Sequence, residues 1–242
     1  MAKQNVSISG SGKIGGGDYG NVRISGAGRV NGDLTAEEIR ISGSGRVMGS
    51  AKAREITVSG SGRFTSDVEA DSFQGSGACA VEGGLKAGEF RCSGSQRIGG
   101  ALTAHYVRCS GTLTVGRSVE SDVFNSSGKF NIEGLLSADR VEIRLVGESR
   151  VGEIGGEKIE VRGETGFNVQ ISLTRGFRMG FGGGSLRAKS IEGDEVYLEA
   201  TRAEVVRGAN VRIGPGCRIG RVEYSEALEV HEDAEVKEQV RA

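Results

Sequence analysis

The sequence is poor in the residues that fill a thick globular core. Its 242 residues include one proline and no tryptophan, and aromatic residues make up 5% and hydrophobic residues 36%. The single proline excludes a collagen triple helix, and the balanced charge does not fit a disordered linker. No stretch approaches the ~20 apolar residues of a membrane span, and no apolar run follows the first residues as in a signal peptide. These absences favour a thin-cored fold.

Charge and cysteine content exclude further classes. The net charge is −1, so the composition indicates no nucleic-acid partner. The four cysteines, Cys79, Cys92, Cys109 and Cys217, lack the paired spacing of a disulfide framework or a zinc site. We therefore expect reduced thiols, no bound metal and a cytoplasmic protein.

Glycine, by contrast, is abundant and periodic. There are 42 glycines, and a Ser-Gly dipeptide returns every 17 residues. Its glycines are Gly26, Gly43, Gly60, Gly77, Gly94, Gly111 and Gly128. A fixed period of this length is typical of repeat architectures.

The apolar residues follow the same step. One column comprises Val22, Ile39, Ile56, Phe73, Phe90, Val107, Phe124 and Val141. Within a unit the apolar positions alternate, as at Leu34 and Ala36, which is strand periodicity. Stacked coils would satisfy each other's backbone hydrogen bonds. The sequence therefore predicts an all-β parallel β-solenoid of roughly triangular section, with glycine and alanine at its corners.

The register changes after Arg144. We predict a regular solenoid over 1–144 with 17-residue coils, and an irregular junction over 145–190. Less regular coils of about 18 residues are expected over 191–242, because apolar pairs such as Val211 and Ile213 recur about six residues apart.

These units resemble those of the bactofilins, the polymer-forming cytoskeletal proteins of bacteria. The resemblance is carried by the 17-residue columns, with units such as VRISGAGRVNGDL at 22–34, and by 191–224, which is similar to a divergent subgroup. It implies a right-handed triangular β-helix that self-assembles without nucleotide, and this chain would be a longer member. It further implies a scaffold for envelope, shape or motility machinery, located in the cytoplasm or peripherally at the inner face of the membrane. The resemblance supplies no catalytic residues.

The two ends of such a solenoid differ in charge. The segment Arg221–Ala242 carries seven acidic residues, whereas Lys13 is the single charged residue in the first coil, 4–17. Charge blunts an open strand edge, so we predict that the N-terminal edge mediates self-assembly. Its apolar residues are Val6, Ile8 and Ile14. The alternative is that Met1–Asn5 folds over this edge as a cap.

A second candidate surface lies in the glycine-rich junction. Between Thr165 and Ser190 there is no acidic residue, and cations alternate with apolar side chains. The candidate residues are Arg175, Phe177, Arg178, Met179, Phe181, Arg187 and Lys189. They predict contact with a membrane surface or a protein partner, while the alternative is that the aromatic residues fill the core.

Other patterns have weaker functional meaning. Gly10-x-Gly12-x-x-Gly15 matches a dinucleotide fingerprint, but no helix follows, so we expect no nucleotide or other cofactor. Cys92 and Cys109 share an inward column and are interpreted as small core residues. His105, Asp122 and Asp139 share an outward corner, which we interpret as solvated rather than catalytic.

Arginine forms two outward columns. One contains Arg23, Arg40, Arg91 and Arg108, and the other Arg29, Arg46, Arg63 and Arg97. Stacked like charges repel unless they are partnered. They predict either a solvated face with acids nearby or a contact with another filament or an anionic surface.

Three function classes remain. The first is a non-enzymatic scaffold that assembles with itself, with no small-molecule substrate. The second is a monomeric or dimeric β-solenoid binding module that recruits a membrane-associated complex or envelope and motility proteins. The third is a hexapeptide-repeat acyltransferase with His231 as its sole candidate catalytic residue, against which the Ser-Gly period argues.

Overall fold

The computed structural model describes residues 3–163 and 183–242, and in these ranges the chain forms strands and no helix. Every strand pairing is parallel, and all twenty strands of the described ranges belong to one sheet wound into a solenoid. This confirms the predicted all-β parallel β-solenoid. The strands are β1 Val6–Ile8, β2 Ser11–Ile24, β3 Ala27–Ile41, β4 Ser44–Met48, β5 Ala51–Val58, β6 Ser61–Phe64, β7 Val68–Gly75, β8 Ala78–Val81, β9 Leu85–Cys92, β10 Ser95–Ile98, β11 Leu102–Cys109, β12 Thr112–Val115, β13 Val119–Ser126, β14 Lys129–Leu145, β15 Glu148–Gly163, β16 Ser185–Arg187, β17 Ser190–Leu198, β18 Thr201–Ile213, β19 Arg218–Val230 and β20 Glu235–Arg241.

The strand register follows the sequence period. Val22 pairs with Ile39, Ile39 with Ile56, and the same column continues to Val141 in steps of 17. The column then passes to Ile159, and the solenoid has about 13 coils in all. At ~4.8 Å per coil, the rod is roughly 60 Å long.

Each coil has three faces. In the coil that begins at Leu34, face one is Leu34–Ala36, face two is Glu38–Ile41 and face three is Ser44–Val47. Outward and inward side chains alternate along each face, so the apolar set shares one interior. The corners are made by Glu37, by the Ser-Gly dipeptide and by the residues before the next coil.

The Ser-Gly corner requires glycine because consecutive coils approach closely there. A Cβ on Gly60 would overlap the carbonyl oxygen of Gly43 in the preceding coil, and the same holds along the column. The overlapping atoms belong to the backbone, so no side-chain rotation relieves the contact. Gly147 occupies the corner at the end of the regular region, and a Cβ there would meet nothing within 4 Å.

The interior keeps its volume constant across this same corner. In the early coils a large side chain on face two is followed four residues later by glycine, and in later coils the order reverses. The pairs are Ile24 with Gly28, Ile41 with Gly45, Val58 with Gly62, Cys92 with Gln96, Cys109 with Leu113 and Ser126 with Phe130. A Cβ on Gly45 would lie 2.9 Å from Ile41 Cδ1, so the isoleucine occupies the space that the glycine leaves. Such compensation fits the close packing of protein interiors.

The coil length changes beyond Arg144. Arg150 pairs with Asn131, a step of 19, and Ser185 pairs with Glu148, a step of 37. The latter step contains an insertion of twenty residues relative to 17, which leaves and re-enters the ladder at the Ser-Gly corner, between Gly163 and Gly184. The later steps are 15, 16 and 17 residues, against the predicted ~18. The ladder itself continues, because strand pairing needs matched backbone and not a constant corner length.

Candidate functional site

The N-terminal edge is formed by β1 and the first part of β2. In the ranges that the structure describes, β1 pairs only with β2, so its other side meets no strand. Val6 and Ile14 are half-buried against the core. Ile8 is 7% exposed, which makes it an interior residue of the first coil as well as part of its edge.

The residues before β1 cover one corner of this edge. Gly20 N–H donates to the Gln4 carbonyl at 2.9 Å, and Asn21 N–H donates to Asn5 Oδ1 at 2.8 Å. Lys3 forms an ion pair with Asp18 at 2.9 Å. The predicted cap is therefore present over Asp18–Asn21 for residues 3–5, while Met1 and Ala2 lie outside the described residues.

The C-terminal edge is formed by the end of β19 and by β20. Leu228 and Val230 complete face two of the last coil, and Val230 is 38% exposed. No strand in the described ranges pairs beyond them. Apolar side chains therefore lie at both edges of the rod.

The acidic residues near this edge are mostly bonded to the coil behind them. Glu229 pairs with Arg212 at 2.7 Å and Glu223 with Arg207 at 2.7 Å, and Glu226 accepts from the Asn210 amide at 2.8 Å. The Arg207 guanidinium holds the pKa of the Glu223 carboxyl below its usual range. These bonds run along the axis, so the C-terminal edge is less acidic than the residue count predicts.

The predicted junction segment is only partly described. Arg175, Phe177, Arg178, Met179 and Phe181 lie outside the described residues. Arg187 and Lys189 are exposed on face three, where Arg187 belongs to a column of cations that runs the length of the rod.

This basic column is the most continuous charged feature of the surface. Its thirteen stacked positions lie in the middle of face three, and nine carry exposed cations. The cations are Lys13, Arg29, Arg46, Arg63, Arg97, Arg150, Arg187, Arg202 and Arg218, and Ala80, Thr114, Asn131 and the terminal Glu235 complete the column. Sequence periodicity finds four of these cations, because the steps of 19, 37, 15 and 16 residues hide the others.

A shallow groove of about 800 Å³ runs beside the basic column over the first six coils. One wall is formed by the cations, the other by small residues such as Ser44 and Ser61, and the floor contains Gly28 and Gly45. No aromatic side chain lines this groove. The arrangement favours an extended anionic surface, since nothing in it could stack against nucleic-acid bases.

The opposite corner of the rod is acidic. Between Glu37 and Asp194 the corner that joins faces one and two has nine positions, and six of them carry exposed carboxylates. This acidic ridge consists of Glu37, Asp71, Asp122, Asp139, Glu157 and Asp194. His105 lies in the same column, and its Nδ1 is 3.1 Å from Asp122 Oδ2.

The cysteines form no reactive site. All four are buried free thiols, and burial raises the pKa of Cys79 to about 12 and that of Cys217 to about 11. A hydrogen bond with Cys109, together with burial, raises the pKa of Cys92. Neutral thiols are poor nucleophiles and poor metal ligands. In the described ranges, no three His, Cys, Asp or Glu side chains group as metal ligands, and no helix could cross a membrane.

Comparison with known proteins gives two partial relatives, and no family model and no solved structure matches the chain. The chain is 39% identical over 109 residues to "Uncharacterized protein YhbF" of Bacillus subtilis (strain 168). It is 42% identical over 95 residues to "Uncharacterized protein YhbE" of the same strain. These alignments cover 45% and 39% of this chain and 42% and 37% of the two relatives. The chain thus spans less than half the length of the relatives it matches.

Proposed function

We propose that this chain is a non-enzymatic bacterial scaffold protein whose copies stack end to end through the open edges of the solenoid. The observation that carries the proposal is that strand pairing stops at both edges while the hydrogen-bonding pattern points beyond them. The proposal agrees with the resemblance to bactofilins. It extends to a cytoplasmic scaffold that organises envelope, shape or motility machinery.

The backbone alternates in direction along every face. Ser42, which points outward, donates its N–H to the preceding coil at Ile24 O, 2.9 Å away. Leu34, which points inward, donates to the following coil at Ser50 O, 2.9 Å away. Outward residues thus bond toward the N-terminal neighbour and inward residues toward the C-terminal neighbour.

This alternation makes the two edges complementary. At the first coil the outward Ser7 directs its N–H and carbonyl away from the rod. At the last coil the inward Leu228 and Val230 direct theirs away from the opposite end. Unpaired strand edges of this kind are templates for pairing with another chain.

Stacking of one copy's first coil on another copy's last coil continues the parallel ladder. The contact uses two different surfaces, so it does not close on itself and generates a filament. It also buries Val6, Ile14, Leu228 and Val230, which the single rod leaves partly exposed. Apolar burial is the driving force, and the backbone hydrogen bonds set the register.

The test removes one backbone donor without changing the core. Ser7 is exposed, so Ser7→Pro deletes an outward N–H and places a ring where the next strand must lie. We expect wild-type particles many rods long in electron microscopy and sedimentation, and single rods of roughly 60 Å for Ser7→Pro. Ile8→Lys is the weaker choice, because Ile8 is interior and its replacement would disrupt the first coil itself.

Ser7→Thr is the matched control, because it keeps the N–H and has high strand propensity. It should form filaments as wild type does, and circular dichroism should show equal strand content in all three proteins. Filaments of unchanged length in Ser7→Pro, or a wild-type protein that stays monomeric at all concentrations tested, would contradict end-to-end assembly.

A further inference from the structure

We infer that these rods also associate side by side, with the acidic ridge of one copy lying in the basic groove of another. The inference extends the proposed function, since its partner is a second copy of the same chain. It concerns different surfaces, however, so either contact can fail without the other.

The two surfaces lie on opposite sides of the rod. The acidic ridge is the corner between faces one and two, which in a three-sided section is opposite face three. A chain of net charge −1 therefore has one strongly basic side and one strongly acidic side. Like charges ~4.8 Å apart repel unless an opposite charge approaches them.

Partners for these charges within the same copy are few. Among the described residues, Lys13, Arg29, Arg46, Arg97 and Arg202 have no carboxylate within 4.0 Å. Arg63 reaches Glu82 only at 4.0 Å, and Arg150 and Arg187 share Glu148. On the ridge, only Asp122 has a basic group within that distance, which is His105.

Missing partners are not a general property of this surface. On face two, Arg91 pairs with Glu89 at 2.6 Å, and Arg40 and Arg162 pair with Glu38 and Glu160 two residues away. The two arginine columns that look alike in sequence are thus different. The face-two column is largely neutralised by its own coil, whereas the face-three column is left for an external anion.

A second copy fits that anion in spacing as well as in sign. Both surfaces advance by one coil per charge, so their repeat is the same ~4.8 Å. Two rods laid side by side therefore keep every ridge carboxylate in step with the cations, whichever way the second rod points. No unrelated polyanion shares this repeat by construction of its chain.

The shapes are also compatible. The ridge is a projecting corner, and the groove has a floor of glycine and a wall of serine and alanine beside the cations. Because ridge and groove are different surfaces, each copy can bind one neighbour on either side. Such a contact repeats without closing, so it widens filaments into sheets or bundles.

The test reverses charge on each surface separately. Arg29→Glu/Arg46→Glu changes the groove and Asp71→Lys/Asp139→Lys changes the ridge, and all four side chains are exposed, so the core is untouched. At about 0.05 M salt, we expect each variant to need at least about tenfold more protein than wild type for lateral association, measured by light scattering and by particle width. Near 1 M salt the Debye length falls to about 3 Å, and wild type should lose its lateral association too.

Mixing the two variants is the decisive arm. The acidic groove of one variant then faces the basic ridge of the other, and association should return to within about threefold of wild type. Arg23→Glu/Arg108→Glu is the control, because it makes the same charge change on face two. It should associate as wild type does.

The outcomes separate the alternatives. Particle length reports end-to-end stacking and particle width reports lateral contact, so Ser7→Pro should shorten particles and still permit widening. Lateral contact is overturned if the mixture fails to recover, or if the ridge variant behaves as wild type. It is equally overturned if the groove variant loses only its binding to anionic vesicles or to polyphosphate, since the column would then serve a membrane or a free polyanion.

Discussion

At the scale of single residues, glycine is a steric requirement at one corner and a volume device at another. Along the Ser-Gly corner a Cβ would overlap the backbone of the preceding coil. At Gly28, Gly45 and Gly62 the glycine instead makes room for a large neighbour four residues earlier. The sequence shows both sets as periodic columns, but only the contacts separate their physical roles.

The corner role predicts a steep cost for one methyl group. Gly60→Ala should lower the free energy of unfolding by more than about 2 kcal/mol, since the backbone must move to accept the Cβ. The melting temperature should fall by roughly 5 °C. Gly147→Ala is the matched control at the same type of corner, where a Cβ meets nothing within 4 Å. A cost as large at Gly147 as at Gly60 would contradict the steric explanation.

At the scale of strands, the core is built from compensating pairs across the Ser-Gly corner. Ile41 on β3 fills the space above Gly45 on β4, and Leu113 on β12 does the same for Cys109 on β11. Phe130 on β14 follows Ser126 and packs edge-on to Phe124 with ring centroids 5.6 Å apart. Sequence analysis predicted the column that contains Ile41 and Cys109 as apolar. It did not predict the exchange of volume, because that exchange joins two different faces.

Transplanting a pair tests this compensation. Gly45→Leu alone should destabilise by about 1–3 kcal/mol through overpacking, and Ile41→Cys alone by a similar amount through a cavity. The double variant reproduces the Cys109–Leu113 arrangement and should cost at least about 1 kcal/mol less than the sum of the single changes. Urea unfolding of the four proteins gives this coupling energy. Simple additivity would show that the two positions do not share one space.

At the scale of the whole molecule, the rod has two open ends and two opposite charges on its sides. The ends follow from the solenoid itself, since each coil satisfies the next and the outer coils have one neighbour fewer. The charge separation follows from the register, which aligns cations spread over 13–218 into one line. Both features provide surfaces for further copies, along the axis and across it.

The solenoid predicts that whole coils can be removed. Deletion of residues 51–67 takes out 17 residues and joins Ser50 to Val68, which preserves every column because Leu34, Ala51 and Val68 are in register. We expect a folded rod shorter by ~4.8 Å, with strand content and cooperative unfolding retained. Deletion of 51–66 is the control, and it should fail to fold stably because a one-residue shift turns apolar side chains outward. Equal stability of the two deletions would contradict a fixed 17-residue register.

The sequence by itself determined the repeat, the strand periodicity and the identity of the interior columns through Val141, because a constant step of 17 projects directly onto a stacked coil. It could not determine how Arg150, Arg187, Arg202 and Arg218 join the earlier arginines, because corners of different length hide their alignment. It also could not distinguish the partnered arginines of face two from the unpartnered ones of face three, since both recur with the same period. Those distinctions depend on which side chains meet in space, and the tertiary structure alone decides that.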